Sequence, residues 1–341
     1  MRIFITGGSG LIGRNLARAL VENGHQPVIL SRNSDRVRRN PEMWPYQVIQ
    51  GDPTQPGRWQ SEVDGCDAVV NLAGHNLFAE RWNAAVKAKI RDSRVHAAEQ
   101  IVAAIQQARR RPKILVQGSA IGFYGAHGDE ELTEASPSGS DFLAVVCRET
   151  EDVSAAVESL DVRRAVVRTG IVLARNEGAL RFMTPIFKVL PGAPIGSKGG
   201  LGWATGQQWM SWIHLDDIVG VFRLAIDHDE AAGPLNGTAP HPVRNLEFAK
   251  TFSRVLRKPA TPWRVALPFG PPDLMLQLML GEVASVITTG QKVLPAKVLA
   301  LGYAFRYPNL EGALRALFSK TRPPAQAPAH PVASGSGAHH A

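Results

Sequence analysis

The segment Thr6-Gly7-Gly8-Ser9-Gly10-Leu11-Ile12-Gly13 sets glycine at every third position where the apolar run Arg2-Ile3-Phe4-Ile5 gives way to a helical pattern. Residues of this type and spacing bind phosphate. Glycine permits a tight turn, close approach of the backbone to a pyrophosphate, and close packing of helix on sheet. The helix start adds unpaired N–H groups and a positive dipole end, so Gly7, Gly10, Leu11, Ile12 and Gly13 make a candidate anion cradle without any charged side chain. Pro27-Val28-Ile29-Leu30 reads as the next buried strand, and it delivers Ser31-Arg32 to the place where an NAD site carries an acid for the ribose hydroxyls. No acid stands there. The planar fork of Arg32 and the hydroxyl of Ser31 suit a 2′-phosphate instead, which makes NADP(H) the expected cofactor. Arg36, Arg38 and Arg39 add positive potential and read mainly as a solvated face.

The elements that must position these residues alternate strand and helix. Leu11, Ile12, Leu16, Ala17, Leu20 and Val21 recur at helical spacing, and Gly24 supplies the stop. Tyr46–Ile49 and Ala68–Leu72 read as further strands, a long helix runs from about Trp82 to Gln107, and Ile114–Gln117 carries Gly118-Ser119-Ala120 to the strand ends. A second helix, about Asp141 to Glu158, leads to Ala165–Arg168 and on through Leu173, and Pro234-Leu235-Asn236 is a last sheet strand. This pattern predicts an α/β, Rossmann-type doubly wound parallel sheet followed by a small, mainly helical C-terminal domain. Ligands of such sheets lie beyond the carboxyl ends of the strands. Asp52 is thereby placed to meet adenine, Leu72, Ala73 and Gly74 to pass under the ribose and phosphates, and Arg81 to reach a phosphate, with Ile171 just past the sixth strand. The expected division is a Rossmann domain over 1–239 with a Gly/Pro-rich cover at 176–208, a substrate-side domain over 240–318, and a disordered tail over 319–341. Within the chain, Trp209–His214 reads as one extended strand and Asp216-Asp217 as the cap of a helix.

Composition narrows the function classes. The chain has 341 residues, 44% of them hydrophobic, enough for a large core. A net charge of +8, scattered except at Arg109–Arg111, argues against nucleic acid as a partner. The two cysteines, Cys66 and Cys147, fit a reducing compartment better than a disulfide framework, no metal-ligand pattern stands out, and no stretch suits a membrane helix or a secretory signal. A cytoplasmic location is expected.

The motifs TGGSGLIG, NLAG at 71–74, SAIGFYG at 119–125, GDEELTE at 128–134 and QWMSWIHLDD at 208–217 resemble the extended short-chain dehydrogenase/reductases, in particular their atypical epimerase-family, sugar-epimerase-related branch, some of which are labelled cell-division inhibitors. The resemblance covers about residues 1–318. It implies NADP(H) binding and a C-terminal domain closing over a small-molecule substrate, and it offers a homodimer through the helices at 82–107 and 141–158.

One departure stands out. Superfamily members carry a Tyr-x-x-x-Lys pair in which lysine binds the nicotinamide ribose and lowers the tyrosine pKa. Superfamily spacing puts Leu143 and Cys147 at those positions here. Leucine cannot move a proton, and Cys147 reads as a buried packing thiol. Ser119 aligns with the superfamily serine that hydrogen-bonds a substrate carbonyl, with the register open between Ser119 and Ala120. Tyr124 is the nearest phenol and a candidate substitute acid, although a buried ring with its hydroxyl tied to the backbone is at least an equal reading. His214 has a pKa range suited to acid/base work or serves as a core histidine. Gln208 and the tryptophans at 203, 209 and 212 are candidate walls of a closed pocket. Two functions compete: an NADP-dependent oxidoreductase or epimerase-like enzyme, which the pocket favours, and a catalytically silent cofactor sensor.

Overall fold

The computed structural model describes residues 1–39, 46–189, 194–196, 204–256, 276–278 and 281–318. The expected tail, Trp203 and parts of the expected cover and substrate-side domain lie outside the described residues.

Seven strands form one parallel sheet: β1 (Arg2–Thr6), β2 (Gln26–Ser31), β3 (Gln47–Gln50), β4 (Ala68–Asn71), β5 (Ile114–Ala120), β7 (Arg163–Thr169) and β11 (Gly233–Gly237); the short strand β6 (Glu131–Leu132) and the helices α2 (Ser34–Arg38) and α5 (Gly178–Val189) lie outside it. Their order is β11-β7-β5-β4-β1-β2-β3, so the chain reverses direction across the sheet between β1 and β4. That reversal leaves a crevice at the strand ends, the place where doubly wound sheets bind ligands.

Alternation along each strand builds two buried layers. Ile3 and Ile5 point to the face covered by α1 (Leu11–Glu22) and α6 (Leu215–Asp227), where they meet Leu16, Ala17, Leu20, Val221 and Phe222. Phe4 points to the opposite face with Val28, Val69 and Leu115, under Ile101 and Ile105 of α3 (Ala84–Gln107) and the stacked ring of Trp59. Burying one such side chain contributes about 1.5–3 kcal/mol, so each helix is held by its apolar stripe. The helix α4 (Phe142–Ala155) lies beside α3 and is tied to it by the Arg91–Glu149 ion pair.

Beyond β7 the chain leaves the sheet earlier than the apolar run suggests. Gly170 interrupts it, and a Cβ there would lie 2.5 Å from the Ser211 carbonyl oxygen. The next segment, β8 (Ile171–Ala174), pairs with β10 (Trp212–His214) instead, while β9 (Trp209–Met210) pairs with β12 (Val243–Arg244). The expected single strand over 209–214 is therefore split at Ser211, whose hydroxyl donates to the Gln291 carbonyl and accepts from the Val293 N–H. A second apolar cluster, with Trp212, Phe248, Phe252 and Leu314, joins this region to α7 (Asn245–Val255) and to the helix Leu310–Phe318. No helix among the described residues is long and apolar enough to cross a membrane.

The cap of α6 corrects the sequence reading. His214 is its N-cap: Nδ1 accepts the Asp216 N–H at 3.0 Å, and the ring rests on Tyr307. Asp217 instead points back, accepting the N–H groups of Arg306 and Tyr307. Burial pushes the His214 pKa down from 6.5 to about 4 and raises Asp217 to about 6. A histidine whose folded pKa lies below its unfolded one stabilises the fold above about pH 6.5, and that contribution is lost as the pH falls through 4. Asp217 shifts in the opposite sense, so a difference measurement isolates the imidazole. Relative to His214→Asn, which keeps a capping side chain, the wild type is expected to lose more than about 1 kcal/mol between pH 6.5 and 4 in denaturant unfolding. A difference independent of pH would contradict the buried neutral imidazole.

Candidate nucleotide and active site

The glycine turn sits directly on the end of β4. Gly7 has φ +65°, a region that favours glycine, and any Cβ it carried would collide with the Leu72 carbonyl oxygen. The Gly10 N–H closes the turn onto the Gly7 carbonyl at 2.9 Å. Gly10 then caps α1 with no side-chain hydrogen bond, and the first turn carries no acid. The N–H groups of Leu11, Ile12 and Gly13 are thereby left for a ligand, with the helix dipole behind them. Below the turn, a row of buried amides links the strand ends: the Thr6 hydroxyl donates to Asn71 at 2.5 Å, and Asn71 donates to Gln117 at 3.0 Å. The Leu72 N–H binds Thr6 and the Ala73 N–H binds the Asn71 side chain, so Leu72, Ala73 and Gly74 are fixed beside the turn.

At the end of β2, the Ser31 hydroxyl accepts the Asn33 N–H, and the Gln50 side chain secures Arg32 and Ser34 through their backbone. The Arg32 guanidinium is exposed and has no side-chain partner among the described residues. Arg38, in contrast, donates to the Val48 carbonyl and lies near Asp35. Asp52 uses its carboxylate to accept the N–H and hydroxyl of Thr54. Arg81 is exposed and lies against Gly281, while the Ile171 N–H binds the Ser211 carbonyl.

Ser119 lies at the end of β5, where it pairs in register with Arg168 of β7. Its hydroxyl donates to Glu151 Oε1 at 2.6 Å. Arg168 grips the same carboxylate through Nε at 3.0 Å and Nη2 at 2.8 Å, and its plane stacks on Phe123. The third arginine nitrogen donates to the Tyr124 hydroxyl at 3.0 Å, and that hydroxyl donates to Asn236 at 2.7 Å. Tyr124 is wholly buried, and its tie runs to these two side chains rather than to the backbone. Burial outweighs the neighbouring guanidinium and raises its pKa. His214 is engaged as the α6 cap. Gln208 is buried and donates to the Ile195 and Ile287 carbonyls, and Trp212 is buried and donates to His241. Arg244 and Lys292 each lie over the ring of Trp209, which lines a cavity of about 260 Å³ with His127, Gln208 and Thr288.

Leu143 and Cys147 flank Gly122 on α4, beside Ser119. Burial drives the Cys147 thiol up to about 11, which keeps it protonated at neutral pH. Sequence reasoning missed Glu151 and Arg168. Two signals existed: Glu151 follows Cys147 by one helical turn, and Arg168 is a charge inside the apolar run Ala165-Val166-Val167-Arg168. Among the described residues, no cluster of histidine, cysteine or acids is arranged to hold a metal.

Removing one member of a buried ion pair costs about 3–5 kcal/mol, because the other charge is stranded, whereas replacing both is often near neutral. Arg168→Met is therefore expected to destabilise the fold by that amount in denaturant unfolding, and Glu151→Gln with Arg168→Met to recover most of it. An additive double variant would show that the pair is not coupled.

Comparison with known proteins agrees with this geometry. Residues 3–236 match the NAD dependent epimerase/dehydratase family, and residues 271–317 match a domain of unknown function, DUF1731. The chloroplastic epimerase family protein SDR39U1 homolog of Arabidopsis thaliana is 38% identical over 93% of this chain and 86% of its own length. Epimerase family protein YfhF of Bacillus subtilis is 35% identical over 94% and 98%. The human epimerase family protein SDR39U1 (isoform 2), solved with NADPH, superposes with a TM-score of 0.78 at 30% identity, covering 94% of this chain and all of that one. At 16% identity, the UDP-glucuronic acid 4-epimerase of Bacillus cereus shares the fold with a TM-score of 0.69 over 93% of this chain and 97% of its own. With its glycine turn, parallel sheet and matched length, the chain belongs to the NAD dependent epimerase/dehydratase family, within an SDR39U1-like, atypical branch of the extended short-chain dehydrogenase/reductases.

Proposed function

We propose that this protein binds NADP(H) and acts as an oxidoreductase or epimerase-like enzyme on a small carbonyl or sugar-like substrate. The observation that carries the reading is the uncapped, acid-free start of α1 at the β1–β4 crevice, with Arg32, unpartnered among the described residues, at the end of the neighbouring strand. Helix N–H groups suit the pyrophosphate, and a free guanidinium suits a 2′-phosphate. The NADPH of the human relative supports the same choice. Gly7, Gly10, Leu11, Ile12, Gly13, Ser31, Arg32, Leu72, Ala73 and Gly74 form the cofactor side of the site. The bound cofactor supplies or accepts a hydride.

Ser119 and Glu151 handle the proton. Because the Ser119 hydroxyl donates to Glu151, its oxygen is left to accept from a substrate hydroxyl. During oxidation, the substrate hydroxyl proton passes to Ser119 Oγ as the serine proton passes to Glu151, which then releases it to water. In reduction Glu151 first takes a proton from water, both transfers reverse, and the new alcohol oxygen takes its proton from Ser119. Arg168 holds the carboxylate in place, and Tyr124 and His214 serve as a buried strut and a helix cap. A second reading, a silent NADP(H) sensor, is favoured by Leu143 and the protonated Cys147 where the superfamily acid and its lysine stand.

Fluorescence titration is expected to show tighter binding of NADPH than NADH, with Arg32→Glu reducing NADPH affinity roughly tenfold or more. NADPH oxidation with a panel of small carbonyl compounds is expected to occur with wild type and to fall by about 10²-fold or more in Ser119→Ala. NADPH binding without turnover would support the sensor. No binding of NADPH would overturn both readings.

A further inference from the structure

The superfamily lysine is missing, yet the site still holds a cation. Arg94 projects from α3, and its guanidinium lies against Gly74, where an added Cβ would stand 3.0 Å from Cζ. A Cβ at this place in the turn after β4 would press on the guanidinium and force it to shift. Nη1 donates to the Ile90 carbonyl at 2.9 Å and Nη2 to the His75 carbonyl at 3.1 Å, which fix the plane of the group beside the Leu72–Gly74 backbone. The Nε–H has no partner, and no carboxylate forms an ion pair with Arg94, among the described residues. Cys147 lies near enough for the guanidinium to pull the thiol pKa down against burial. Burial lowers the pKa of Arg94 itself, a cost that the two carbonyl hydrogen bonds offset in part and that no carboxylate among the described residues offsets.

A half-buried guanidinium with spare donors, set between the cofactor-side turn and the position that would carry lysine, is placed to donate to ligand oxygens. We infer that Arg94 replaces the absent lysine from a different helix, donating hydrogen bonds to the ribose hydroxyls of the nicotinamide half of the cofactor. The inference rests on the NADP(H) reading of the same site. Arg94 is thus a positioning residue for the reacting ring, as Arg32 is for the opposite end of the cofactor. Glycine at 74 and arginine at 94 belong together: the side chain that one lacks makes space for the other.

Adenosine 2′,5′-bisphosphate separates the two ends, because it carries the 2′-phosphate but no nicotinamide ribose. In fluorescence or calorimetric titration, Arg94→Gln is expected to weaken NADPH roughly 10- to 100-fold, the range for lost charge-assisted hydrogen bonds, and to leave the bisphosphate unchanged. Arg94→Lys is expected to keep part of the NADPH affinity. Arg94→Gln combined with Cys147→Lys, which places lysine at the superfamily position, is expected to recover it. Equal loss of both ligands in Arg94→Gln would mark a structural role and overturn the inference, as would NADPH affinity equal to wild type. If the wild type binds neither ligand, the cofactor reading itself fails, an outcome distinct from both.

Discussion

The close approach of the first turn to the end of β4 is the constraint on which the site depends. Gly7 touches the Leu72 carbonyl because neither position can tolerate more atoms between them, and this contact lies at the reversal between β1 and β4. Moving the turn outward would tilt the start of α1 away from the crevice and uncouple its N–H groups from the strand ends. The Thr6–Asn71–Gln117 row gives the same edge a polar floor, with each buried side-chain amide satisfied by its neighbour. A rigid edge is what a dinucleotide site needs, since binding through backbone N–H groups has no side-chain freedom with which to correct a misplaced helix.

Behind the adjoining strand end, a buried ion pair does the positioning. Glu151 and Arg168 are 7% and 4% exposed, a costly location for charge. Their cost is offset by near-complete hydrogen bonding: Arg168 serves Glu151 twice and Tyr124 once, stacks on Phe123, and Ser119 completes the carboxylate. Asn236 carries the network on to β11 and to the Leu294 carbonyl, so the Ser119 edge and the C-terminal segment share one set of polar contacts. A continuous chain of hydrogen-bonded groups thus connects that segment to Ser119.

The family's usual catalytic pair is absent from α4, but the helix keeps its place against β5. Leu143 and Cys147 fill the space apolarly, while Glu151, one turn further, enters the polar network. Chemistry on this fold is thus separable from architecture. The sheet sets where strand ends meet, and a handful of side chains at those ends decides what is done there.

Much of this molecule is determined by its sequence alone. Strand-length apolar runs, the glycine spacing and the helical periods specify a parallel α/β sheet with a phosphate turn, because these are local rules of backbone freedom and face alternation acting over a few residues. The missing acid after β2 and the missing Tyr-x-x-x-Lys pair are likewise local facts. What only the tertiary structure decided are the meetings of distant residues. Ser119 finds Glu151 and Arg168, Arg94 lies against Gly74 and near Cys147, Asp217 turns back to residues 306 and 307, and β8 abandons the sheet for β10. No short-range pattern encodes those encounters, since each depends on how helices and strands far apart in the chain pack side by side, and on which buried charges and carbonyls then have no water to turn to.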